Sequence, residues 1–250
     1  MTDQKLTSVL DNGEAKEIVD VDKSRVDILR LANGSAFAIA MIVNATSNFF
    51  SKATQPEIVA EWDVKLSPSG WAFSIWGVIY TLLAGFTVYQ GFPNDKISGG
   101  KNEAIIYGKV GYLYVINMLA NAVWLCLFGQ DNAVAFGLAA IDIVIMYVTG
   151  MKILQISVSE KLNNWWERIF FRGGFSLYVG WLTAASILNV CFLLKSLGID
   201  EGNTNVDNEM FWSKAVLIVA LILYNAYSFV GRNPLFGAVF IWVLLAIKDF

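Results

Sequence analysis

Three stretches of this sequence carry aromatic and amide side chains at helical spacing. Phe73, Trp76 and Tyr80 fall at i, i+3 and i+7. Asn117, Asn121, Trp124 and Phe128 fall at i, i+4, i+7 and i+11. Tyr178, Trp181, Ala185 and Asn189 fall at i, i+3, i+7 and i+11. On an α-helix each set shares one face. Groups of this kind stack on flat apolar molecules and supply a few hydrogen bonds that fix orientation. Proton-transfer chemistry has little support here. The chain contains no histidine, which removes a His-ligated metal, a Ser–His–Asp triad and the commonest proton carrier near neutral pH. Cys126 and Cys191 lie in apolar segments and read as small buried side chains, not as a disulfide framework or a metal site. No catalytic residue and no metal ligand is assigned, and no cofactor is required.

The elements that must hold these faces are membrane helices. Of the 250 residues, 56% are apolar and 16% charged, with mean hydropathy +0.53; a soluble domain carries roughly 25% charge. A net charge of −3 offers no basic stripe for nucleic acid. A span needs ~20 apolar residues. Seven segments qualify, at 31–50, 71–90, 110–128, 132–155, 170–194, 213–231 and 234–249. Residues 1–30 hold five basic and seven acidic residues and read as a flexible polar tail. The resulting fold class is an all-α membrane bundle of seven helices. The loops on the N-terminal side hold 13 of the 18 Lys and Arg residues, which predicts an internal N-terminus.

A tryptophan deep in a span, on the same face as an asparagine, argues against contact with lipid. An amide facing hydrocarbon is left unpaired at considerable cost. Two inward arrangements remain: packing with asparagines as interhelical glue, or an aromatic pocket for a flat ligand. Gly77 and Ala185 leave room among the larger rings. Trp71, Trp165, Trp166 and Trp212 fit the headgroup level instead. Asp142 stands mid-span without a Lys or Arg at its depth. It is either a protonated acid bonded to a neighbouring polar group or an intramembrane polar site serving a ligand or a proton.

The aromatic faces also carry a likeness. Pro68-Ser-Gly-Trp71-Ala-Phe73-Ser-Ile-Trp76-Gly-Val-Ile-Tyr80, Asn121-Ala-Val-Trp124-Leu-Cys-Leu-Phe128 and Tyr178-Val-Gly-Trp181-Leu-Thr-Ala-Ala185-Ser-Ile-Leu-Asn189 occur in order on three spans. In this the chain resembles the TspO/MBR family, the tryptophan-rich sensory proteins that include the mitochondrial translocator protein. The resemblance covers roughly residues 31–196. Phe73 to Trp76 is one residue shorter than the family spacing, and Leu177 replaces the family's proline before Tyr178.

The resemblance implies a five-helix bundle over 31–196, with 197–250 adding about two helices. It implies a pocket for a porphyrin-like or sterol-like ligand, including tetrapyrroles such as protoporphyrin or haem, and a homodimer within the lipid bilayer. The pocket residues carried over are Trp76, Tyr80, Asn121, Trp124, Tyr178, Trp181, Ala185 and Asn189, covered by residues 51–69 with Trp62 and Pro68. The expected function is binding, transport or sensing. The alternatives are an accessory subunit of a larger membrane complex and a light-dependent, porphyrin-degrading activity.

Overall fold

The computed structural model describes residues 5–11, 16–62, 64, 67–91, 104–162, 164–198 and 208–247. Two short strands, β1 (Lys5–Asp11) and β2 (Lys16–Asp22), pair antiparallel with Val9 opposite Ile18 and Leu6 opposite Val21. Among the described residues eight α-helices follow: α1 (Lys23–Thr46), α2 (Gln55–Trp62), α3 (Ile75–Gly91), α4 (Leu113–Phe128), α5 (Ala133–Ser159), α6 (Gly174–Ser196), α7 (Asn208–Asn225) and α8 (Pro234–Ala246). A five-residue 3-10 turn, Gly70–Ser74, leads into α3. Wider π-type turns at Ala104–Val110 and Glu167–Gly173 precede α4 and α6, and a third at Ala226–Val230 ends α7.

Four helical rods are long and apolar enough to cross a bilayer: Ser24–Phe49, Gly70–Gly91, Ala133–Ser159 and Glu167–Ser196. Three shorter apolar helices, Leu113–Phe128, Leu217–Ser228 and Pro234–Ala246, complete the seven expected. Ile141, Val144, Ile222 and Leu245 are exposed on the outside of the bundle, where hydrocarbon supplies the apolar surroundings that water would not. The chain is an integral membrane protein with an all-helical membrane body.

The N-terminal boundary lies earlier than the charge pattern indicates. α1 starts at Lys23 because Val26, Leu29, Asn33, Ala36 and Ala40 form one buried stripe, and the charges at Asp27 and Arg30 flank it without interrupting it. The strand pair also lies in the stretch expected to be a tail.

α4 packs on α1 and α5, α5 on α6, and α6 on α8; α3 lies against α6 and the turn before it. Each tight connection has a local cause. Asn132 caps α5 by accepting from the Ala135 amide at 3.0 Å, after Asp131 turns the chain with a positive φ of 52°. Asn233 caps α8 in the same way, with Pro234 at the first helical position. Its side-chain amide also reaches Ser176 of α6 at 2.8 Å. A buried polar knot ties the far end of α1 to α3: Asn33 donates to Gln90 at 2.8 Å, and Tyr107 donates to the Gln90 carbonyl.

Candidate functional site

The three sequence faces converge. Trp76 of α3 stands at the centre, with the ring of Tyr80 stacked on it at 5.0 Å. The Trp124, Tyr178 and Trp181 rings lie 6.4, 6.2 and 6.2 Å from it. Phe73 meets Trp181 edge to face at 5.7 Å. All of these rings except Tyr80 and Phe73 are buried, so the indoles and phenols turn away from lipid.

The amides tie the rings together. Tyr80 donates its hydroxyl proton to Asn121 Oδ1 at 3.1 Å, and Asn44 of α1 donates to the Tyr80 oxygen at 3.5 Å. Trp124 donates its indole N–H to Asn189 Oδ1 at 3.2 Å, while Asn189 donates back to the Ala185 carbonyl at 2.8 Å. Asn117 serves as glue one turn away, donating to the Met146 carbonyl and to Thr149 Oγ1, both at 2.8 Å. Packing and pocket readings therefore divide by residue: Asn117 is glue, whereas Asn121 and Asn189 orient rings. The indole N–H groups of Trp76 and Trp181 are buried and have no hydrogen-bond partner.

An open cavity of about 210 Å³ lies at one end of the cluster. Trp76, Phe73 and Leu125 form its apolar side, and Asn44, Ser47, Asn48, Ser51, Thr54 and Gln55 its polar side. Among the described residues no charged side chain lines it. Its cover is the segment 51–62, the part of the expected lid that is described along with Val64 and Pro68. Two sites anchor it. At the α4–α5 turn, the Lys52 amide donates to the Gly129 carbonyl at 2.8 Å, Gln130 donates to the Phe50 carbonyl, and Trp62 donates its indole N–H to Asp131 at 2.6 Å. Beyond the cover, the Ser69 amide donates to the Ala246 carbonyl at 2.7 Å and Pro68 bridges to Ile247. Trp242 of α8 donates to the Ala72 carbonyl at 3.0 Å and packs edge to face on Trp71.

The sequence reading missed part of this site. Asn44 of α1 meets Tyr80, a contact that its spacing in the sequence does not show. Trp242 lacks a motif. Trp71, Trp165 and Trp166 are about half exposed, as headgroup-level residues would be. The side chain of Trp212, and Lys65, Lys96, Lys101 and Lys248 from the orientation count, lie outside the described residues. Cys126 and Cys191 are not disulfide-bonded, and both are partly exposed where full burial was expected. Asp142 is buried in α5, and its Oδ2 has no hydrogen-bond partner. It does not line the cavity beside Trp76.

An all-helical membrane body with an aromatic interior and a covered, uncharged cavity defines a polytopic protein built for holding or passing a small molecule. A model of the TSPO-like protein family matches residues 30–248, and the chain belongs to that family. The match continues past residue 196, where the motif likeness ends, and takes in α7 and α8. No curated protein and no solved structure matches the chain.

Proposed function

We propose that this membrane protein binds a flat, hydrophobic molecule, porphyrin-like or sterol-like, between α3, α4 and α6. Trp76 carries the proposal. It is at once the centre of the aromatic cluster and a wall of the cavity, and its buried N–H lacks an acceptor. A buried donor without a partner is costly, and a bound acceptor would remove that cost. The ligand enters beneath residues 51–62.

Room is the quantitative constraint. Ligand pockets span roughly 300–1,000 Å³, and the open volume is about 210 Å³. A macrocycle therefore requires the cover to lift or the Tyr80 ring to leave Trp76. Of the expected pocket residues only Trp76 lines this volume, and Ala185 and the rest of α6 stand behind the aromatic rings, so the rings must part for a ligand to reach them. Family membership supports binding or transport, and the protein acts as a homodimer with an internal N-terminus.

Titrating the purified protein with protoporphyrin and, separately, with a sterol, while following tryptophan fluorescence, tests it. Saturable quenching by one of them, weakened in Trp76→Phe and Trp181→Phe, is expected. Quenching that does not saturate, or that both variants leave unchanged, overturns the proposal.

A further inference from the structure

A second, larger hollow lies away from the aromatic cluster. It is a groove of about 490 Å³ between the last two turns of α5 and the corner joining α7 to α8. Leu154 and Val158 form one wall, and Ala226, Tyr227 and Gly231 the other. Gln155 spans the groove, donating to the Tyr227 hydroxyl at 3.5 Å. The lining is predominantly apolar, and the groove is open at the side of the bundle.

The rim is cationic. Lys161 follows the lining residue Ser159 by two positions and is exposed. Arg232 sits between the lining residues Gly231 and Asn233 and is exposed, with a positive φ of 49° at the turn. Arg172 donates to the carbonyls of Ser157, Val158 and Glu160, which fixes its guanidinium at the end of α5 without a carboxylate partner. None of these three cations has an ion-pair partner among the described residues. Of the neighbouring acids, Glu160 pairs through one carboxylate oxygen with Lys109 at 2.7 Å while its other oxygen is buried without a hydrogen-bond partner, and Glu167 accepts from Tyr89. The stacked, exposed rings of Trp165 and Trp166 mark this end as headgroup level.

An apolar cleft facing hydrocarbon, with uncompensated cations at headgroup depth, has the chemistry of an anionic phospholipid: acyl chain in the cleft, phosphate on the rim. We propose that this groove is a binding site for an anionic phospholipid, with its acyl chain between α5 and the α7–α8 corner and its headgroup on Lys161, Arg172 and Arg232. The site is independent of the aromatic cavity, so neither proposal rests on the other.

The test uses the full chain in detergent, titrated with phosphatidylglycerol and phosphatidylcholine of identical chains and read by native mass spectrometry. Two variants are compared: Lys161→Gln/Arg232→Gln, which removes rim charge, and Ala226→Trp, which fills the cleft. Both change exposed positions, and unaltered thermal unfolding confirms that they fold. The expected result is an affinity for phosphatidylglycerol about tenfold above that for phosphatidylcholine. That preference should fall to within about threefold in the charge variant, and binding of both lipids should be lost in Ala226→Trp. Equal affinity for the two lipids overturns the proposal. So does a preference that survives Lys161→Gln/Arg232→Gln, undiminished binding in Ala226→Trp, or displacement of the lipid by inorganic phosphate alone, which would make the rim a free-anion site.

Discussion

At the residue scale, hydrogen bonds inside the bundle decide which polar side chains hold the fold and which await a partner. Asn117 belongs to the first group, because both its donor bonds cross to α5. Buried amides between membrane helices contribute about 0.6–2 kcal/mol. Asn117→Leu is therefore expected to lower the thermal midpoint. A double-mutant cycle with Thr149→Val should give a coupling energy in that range, and no coupling would show that the contact is inert. Trp76 and Trp181 belong to the second group, since their N–H groups are buried without acceptors. Removing either N–H by Trp→Phe costs the empty protein nothing in hydrogen bonding. The two classes of variant should separate cleanly: Asn117→Leu reads out in stability, Trp181→Phe in ligand affinity.

At the element scale, the cover over the cavity is held by few bonds, and its helix is the shortest in the membrane body. α2 begins with a Thr54–Glu57 pair in which one Glu57 carboxylate oxygen accepts from both the Thr54 amide and its hydroxyl, each at 2.7 Å. The Thr54 backbone N–H is the main cause holding the Glu57 carboxyl below its ordinary value. A depressed carboxylate stabilises the folded state above its unfolded-state pKa, and that help is lost as pH falls through the folded value. The cover should therefore fray first at acidic pH, detectable as faster exchange of the Ile58 amide, which donates to the Thr54 carbonyl at 2.9 Å, and Glu57→Gln should abolish that pH dependence. The other anchor is steric as well as polar: a Cβ on Gly129 would overlap the Ser51 side chain. Gly129→Ala should push the cover outward. Stopped-flow ligand association should quicken while equilibrium affinity weakens, and unchanged association would show that the cover does not limit access.

Much of this was legible in the sequence, for reasons that differ by element. The faces on α3, α4 and α6 were readable because a 3.6-residue period, applied to residues as distinctive as Trp76, Asn121 and Trp181, leaves little choice of face. The start of α1 was not, because charged Asp27 and Arg30 hid a buried stripe that only neighbouring helices reveal. α2 was read as loop: eight residues behind one capping pair give too short a period to detect. Long-range pairs such as Trp62 with Asp131, or Trp242 with the Ala72 carbonyl 170 residues earlier, leave no local trace, since their partners are set by helix packing.

At the scale of the whole molecule, α7 and α8 complete the bundle. Tyr224 of α7 donates to the Gly180 carbonyl at 2.5 Å, in the middle of α6. Gly180 itself lies so close to Val239 that any side chain there would press on α8. Gly180 thus lets α8 approach α6 closely, and α8 in turn holds the chain leading into α3 through Ala246, Ile247 and Trp242. Residues 67–72 connect the cover to Trp76, so the last helix sets one end of the cavity's cover although it lines none of the cavity beside Trp76. Two consequences follow from that linkage. A chain ending at residue 206 should lose thermal stability, because α6 would present Ser176, Gly180 and Ala184 without their partners, and its ligand affinity should fall with it. Trp242→Phe is the sharper probe. It keeps the ring against Trp71 but removes the long-range bond to the Ala72 carbonyl, which keeps only the local bond from the Ile75 amide, so the fold should persist with a small drop in midpoint, on the order of 1 kcal/mol. Ligand dissociation should accelerate measurably. If truncation leaves affinity intact, or Trp242→Phe changes stability without changing dissociation, then the C-terminal helices support the bundle alone and the cover answers only to its anchor at the α4–α5 turn.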